Sequence, residues 1–186
     1  MFEKIKYKIL HHSIEQFIEK KNGCKLPDFD RLTSAIIIIE DLDKKTVRAI
    51  EERMKAVFGI TRSRFIIISE KAADDMLQSD QYCEVTTQDF GFMKVLTTEK
   101  QEEIHNLPMT HLLINMAKQH PDISDFMATL PQSSFRVSFR KGDHNGIYDL
   151  IIDSGTESDP VKEVQILYDY LIALTGRSGQ HIDIWK

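Results

Sequence analysis

The five consecutive apolar residues Ala35-Ile36-Ile37-Ile38-Ile39 constrain this chain more than any other feature. Successive residues of a strand point to opposite faces, so a β-branched run without a polar break is apolar on both sides. Such a strand belongs in the middle of a sheet that is covered above and below. The run leads into Glu40-Asp41-Leu42-Asp43, where an aspartate can cap a following helix. Val47, Ile50, Met54, Val57 and Phe58 then recur at helical spacing, and Gly59 supplies a C-terminal stop. Phe65–Ile68 reads as a second buried strand. Strand, helix and strand within about thirty-five residues form a βαβ unit, which joins parallel strands by a right-handed crossover.

The flanking segments extend this pattern. Residues 2–21 fit an amphipathic helix with Phe2, Ile5, Ile9, Ile14, Phe17 and Ile18 near one face, stopped by Asn22-Gly23. Glu70–Leu77 suits a short helix, Tyr82–Thr86 a strand, Phe90–Leu96 a strand or turn, and Thr98–Asn106 a polar helix or loop. His111–Met116 is a third buried strand. Pro121 opens a helix whose Ile123, Phe126, Met127 and Leu130 lie on one side. Phe135, Val137 and Phe139 alternate with Arg136, Ser138 and Arg140, the pattern of a half-exposed strand near a sheet edge. Lys141–Gly146 is a turn by composition, so Ile147–Ile152 is expected to return as the second strand of an antiparallel hairpin. Asp159-Pro160 starts a last helix carrying Val161, Val164, Leu167, Tyr168, Leu171 and Leu174, closed by Gly176. His181–Trp185 fits a short edge strand. The expected architecture is α/β: a Rossmann-like three-layer sandwich with a largely parallel central sheet, an antiparallel edge hairpin and an N-terminal amphipathic helix. Residues 1–23 form that helix, and residues 34–186 form a single α/β domain.

The formal charge of −5 argues against a duplex nucleic-acid partner, which requires a basic face. Cys24 and Cys83 make neither a disulfide framework nor a C-x-x-C zinc pair. No apolar run reaches membrane-spanning length, and the N-terminus lacks the apolar core of a signal peptide, so the cytoplasm is the expected compartment. Lysines 4, 6, 8, 20 and 21 give the first helix a basic face that can lie on an anionic membrane. The interspersed Glu3, Glu15 and Glu19, with no tryptophan in the segment, favour packing on its own domain or on a second subunit instead.

Motifs for catalysis are missing. Glu-Asp-Leu-Asp stands where a dinucleotide-binding turn carries glycines, and the sequence has no P-loop, H-E-x-x-H or G-x-S-x-G. The seven histidines are scattered; the adjacent His11 and His12 point about 100° apart on a helix, which does not suit shared metal ligation. No catalytic residue, metal site or cofactor is therefore assigned. The positive candidates for ligand contact are Glu40, Asp41 and Asp43 after the first strand, Ser69 (with Glu70 and Lys71) after the second, and Asn115 at the end of the third. Ligands of open α/β sheets bind outside this edge, where carboxylates can hold Mg²⁺ or a ribose hydroxyl. Helix capping and the helix dipole explain the aspartates fully without a ligand, and that is the favoured reading. Arg136, Arg140 and Lys141 make a basic stripe that can bind an anionic ligand or nucleic acid, but the favoured role is to protect an edge strand from aggregation.

Three pieces in order, Gln88-Asp89-Phe90-Gly91-Phe92, Thr110-His111-Leu112-Leu113-Ile114-Asn115-Met116, and Ser134-Phe135-Arg136-Val137 with Tyr148-Asp149-Leu150-Ile151-Ile152, resemble an uncharacterised bacterial family known only as a domain of unknown function. The likeness spans roughly residues 34–175 and implies an intracellular α/β domain without supplying an activity. The strand at His111–Met116, the helix after it and Phe135–Phe139 are also similar, more weakly, to the acceptor half of heptosyltransferase-type glycosyltransferases. The sequence thus favours a non-catalytic binding or assembly module that self-associates as a homodimer, through residues 1–22. The rival is a small enzyme or a nucleotide- or sugar-binding protein with its site at the Glu40, Asp41, Ser69 and Asn115 edge.

Overall fold

The isoleucine run lies at the centre of a six-stranded sheet in the computed structural model, which describes residues 2–21, 26–28, 31–41, 43–69, 81–91, 95–140, 146–155 and 159–175, with side chains from residue 10 onward. The strands are β1 (Ser34–Glu40), β2 (Arg62–Ile68), β3 (Tyr82–Val85), β4 (Thr110–Asn115), β5 (Ser133–Ser138) and β6 (Leu150–Ile151). The α-helices are α1 (Phe2–Lys20), α2 (Lys44–Phe58), α3 (Thr98–His105), α4 (Pro121–Thr129) and α5 (Pro160–Thr175). The spatial order is β3-β2-β1-β4-β5-β6, and every pairing is parallel. This is the strand order of dinucleotide-binding Rossmann domains, with the reversal of direction falling between β1 and β4.

The pleat of β1 explains the two helical layers. Ile37 and Ile39 face α2 and α5, joining Val47, Ile50, Met54, Val164, Leu167 and Leu171 in one core. Ile36 and Ile38 face the other way, into a core with Leu10 of α1, Ile104 of α3 and Phe126 and Met127 of α4. The caps follow the sequence: Asp43 accepts the Thr46 N–H at 2.7 Å, Gly59 ends α2 at φ +69°, and Asp159 accepts the Val161 N–H at 2.9 Å.

The expected antiparallel hairpin is incorrect. β5 and β6 pair in parallel, with Val137 opposite Leu150 and Ser138 opposite Ile151. The described residues just before β6 lie on the α1 side of the sheet, where Ile147 and Tyr148 enter the core. Lys21 holds this segment by donating to the carbonyls of Gly146 and Ile147. Gly146 has φ +80°, and a Cβ there would stand 3.0 Å from the Ile18 side chain, so a close approach and a left-handed backbone both demand glycine. β5 is also no half-exposed strand. Arg136 is buried, because α1 and the α4–β5 turn cover the face on which it lies. Lys141–His144, Glu70–Leu77, Gly176 and His181–Trp185 lie outside the described residues.

α1 packs on its own domain. Leu10 is 2% exposed, and Ile14 and Ile18 pack against the same core. Leu10→Ala should therefore cost about 2–5 kcal/mol, the usual range for emptying a buried leucine site. Urea denaturation measures it; a loss well below 1 kcal/mol would mean that α1 contributes little to the monomer.

Candidate functional site

The edge at which folds of this order bind ligands is formed by the C-terminal ends of β1 and β4. Glu40 ends β1 on the α4 side, and its carboxylate is filled from the chain itself. One oxygen accepts the N–H of His120 at 2.7 Å and the other that of Lys118 at 2.8 Å, while the Gln119 N–H lies 2.9 and 3.0 Å from the two. These amides lead directly into α4. Its N-cap, His120, makes no side-chain capping bond, and Pro121 has no N–H to offer. Glu40 thus supplies from another strand the negative charge that a helix N-terminus favours. The loop is tied down a second time, by Lys118 Nζ to the buried Glu163 of α5 at 2.7 Å, with Ser154 Oγ on the same oxygen at 2.9 Å.

Asn115, at the end of β4, points into a buried polar cluster. Its amide nitrogen lies against Ser124 Oγ, Asp125 Oδ1 and Tyr148 Oη, and its carbonyl oxygen accepts the Ala117 N–H at 3.0 Å. Tyr148 donates to Asp125 at 2.7 Å, and Arg140 pairs with the same carboxylate. Burial, and next the Asp125 charge, push the Tyr148 phenol well above its ordinary range, so it serves as a neutral donor. The cluster joins β4, α4 and the β5–β6 crossover. Among the described residues, no buried side-chain nitrogen or oxygen lacks a partner.

The remaining candidates lie apart from this cluster. Asp41 is exposed at φ +42°, a conformation that aspartate tolerates, and its N–H continues the sheet to Ile68. Asp43 caps α2, and the Thr46 backbone N–H holds its carboxyl below the usual range. Ser69 donates to Glu84 of β3 at 2.7 Å. The structure therefore brings Glu40 and Asn115 to neighbouring strand ends without making one binding cluster of all five residues. Glu70 and Lys71 lie outside the described residues. Among the described residues, no group of three His, Cys, Asp or Glu is arranged to hold a metal ion, and no helix is long and apolar enough to cross a membrane.

The basic stripe is not a surface feature. Arg136 spends Nε, Nη1 and Nη2 on the carbonyls of Ala128, Ser133 and Pro131, at 3.1, 3.0 and 2.9 Å. Phe17 lies 4.7 Å from the guanidinium carbon, a cation–π distance. Burial lowers the Arg136 pKa, with Asp149 opposing the shift. Arg140 belongs to the Asp125 cluster, and Lys141 lies outside the described residues. Ser124, Asp125, Tyr148 and the amides of residues 118–120 gave no signal of their own in the sequence. Asn115 at the end of its strand and the apolar frame around α4 pointed to that region.

Glu40→Gln keeps the shape but loses the charge and turns one acceptor into a donor facing the amides. A cost of about 1–3 kcal/mol is expected, as for hydrogen bonds to a charged group, and urea denaturation measures it. A second test concerns Cys83, buried under α3, whose thiol is pushed up to about 12, first by burial and then by Glu103. The neutral thiol favours the native state below its ordinary 9.0, and this contribution is lost as pH rises from 9.0 towards about 12. Between pH 8.5 and 10.5 the native protein should lose about 2 kcal/mol more than Cys83→Ala. Equal alkaline slopes would show that the thiol is not shielded.

No curated protein matches this chain. A family model does, over residues 6–174, and its description is a family of unknown function, DUF6913. The match takes in α1 through nearly all of α5. The chain belongs to the DUF6913 family of unknown function.

Proposed function

We propose that this chain is a non-catalytic binding domain that leaves unused the crevice where folds of its strand order hold nucleotides. One observation carries the reading: the three amides of Lys118, Gln119 and His120, beside the β1/β4 reversal, are already occupied by the Glu40 carboxylate. A phosphate seeking those N–H groups would have to displace a covalently tethered competitor and leave Glu40 next to its own negative charge. The first β–α turn offers no substitute, since Glu40-Asp41-Leu42-Asp43 contains no glycine and adds the carboxylates of Asp41 and Asp43. The acid, phenol and guanidinium of Asp125, Tyr148 and Arg140 are turned inward on one another, which suits a clamp better than a reacting centre.

Self-association through residues 1–22 has less to draw on than the sequence suggested, because Leu10, Ile14 and Ile18 of α1 pack inside the monomer. Contact with other molecules is better sought at the opposite rim of the sheet, where an open groove remains.

Calorimetric titration with ADP, NAD and a uridine diphosphate sugar, each with Mg²⁺, tests the reading. No heat of binding is expected at ligand concentrations up to about 1 mM, the limit that corresponds to roughly 4 kcal/mol. Micromolar binding of any of them that changes in Glu40→Ala would place a nucleotide at the strand C-termini and overturn it.

A further inference from the structure

We propose that the groove at the N-terminal edge of the sheet binds a small organic monoanion with an apolar body, a carboxylic acid carrying an aromatic or branched hydrocarbon group. The proposal rests on the reading of the chain as a binding domain and names the chemistry of its ligand. The groove measures about 720 Å³, within the usual range for small-molecule sites. Phe17 of α1, Leu32 before β1 and Phe135 of β5 give it apolar lining.

Charge selects the ligand. Among the described residues, three cations line the groove, Lys21, Arg31 and Arg136, against two carboxylates, Asp28 and Asp149. Arg31 and Asp28 pair with each other 3.3 Å apart on the solvent side, their side chains 83% and 52% exposed, and count for little inside. The inner wall is different. Lys21 Nζ stands 2.7 Å from Asp149, with side chains only 16% and 3% exposed. Asp149 accepts the backbone N–H of Arg136 as well, but among the described residues the Arg136 guanidinium itself meets three carbonyls and the Phe17 ring and pairs with no carboxylate. Among the described residues of this wall, the buried Arg136 and the half-buried Lys21 therefore share one carboxylate, leaving an excess positive charge in a chain whose formal charge is −5. A buried charge without a counter-ion is costly, and a carboxylate entering the groove would supply one. A single excess charge matches a monoanion better than a phosphate dianion, and the apolar side chains of the lining match a hydrocarbon body better than a sugar.

The probe set is 1-naphthaleneacetate, its neutral amide 1-naphthaleneacetamide and 1-naphthyl phosphate, titrated calorimetrically into the full chain. The acid should bind at least tenfold more tightly than either of the others. Lys21→Gln removes the excess charge and should abolish the preference of acid over amide. Ser134 is an exposed residue lining the groove, so Ser134→Trp should block the acid without disturbing the core. Equal affinity for acid and amide, a tighter phosphate, acid binding untouched by Ser134→Trp, or no acid binding at 1 mM would each overturn the proposal. The last result would leave the unused-crevice reading intact, whereas Glu40-dependent ADP binding would remove that reading and leave the groove standing.

Discussion

The isoleucine run of β1 cannot meet water on either face, and most of the architecture follows from that. Each fully buried isoleucine gains about 1.5–3 kcal/mol from leaving water, but only if a layer covers it. Ile37 and Ile39 obtain theirs from α2 and α5, Ile36 and Ile38 theirs from α1, α3 and α4. A strand apolar on both sides also needs strands on both edges. β2 and β3 lie on one side and β4, β5 and β6 on the other, so the direction of winding reverses at β1. The reversal creates the crevice that related architectures fill with a ligand.

Beside this crevice the next residue of the same strand is engaged by the chain itself. Glu40 continues β1 past its apolar part, and the amides of residues 118–120 converge on its carboxylate from the loop after β4. Sheet-end and helix-start requirements are met together: β1 ends on a charged residue, and α4, lacking a side-chain cap, obtains an anion. Lys118 then carries the connection on to Glu163 at the start of α5. The same edge that looks like a ligand site from its topology is thus a junction of β1, α4 and α5.

Much of this fold was legible in the residues. The doubly apolar β1, the Asp43 cap, the Gly59 stop and the Pro121 and Pro160 helix starts each rest on local rules, and each element stands where those rules put it. The hairpin was not legible. A polar turn followed by an apolar run fits an antiparallel return as well as a crossover, and what decides is Lys21 and Ile18, more than a hundred residues away, fixing Gly146 and Ile147. Arg136 misled for a related reason. Alternation with phenylalanine suggests exposure, while its acceptors are backbone carbonyls that no side-chain pattern marks. The place of Glu40 at the strand end could be read directly, but its role could not, since its partners are main-chain amides about eighty residues on. The groove was invisible because its walls come from four separated segments.

The account turns on whether Glu40 holds the amides of the β4–α4 loop in solution. Amide proton shifts and exchange rates of Lys118, Gln119 and His120, read by ¹H–¹⁵N NMR in the native chain and in Glu40→Gln, address this most directly. The account predicts low-field, slowly exchanging amides in the native protein that move upfield and exchange at least tenfold faster in Glu40→Gln. Amides that exchange freely in the native chain, or that are indifferent to Glu40→Gln, would contradict it.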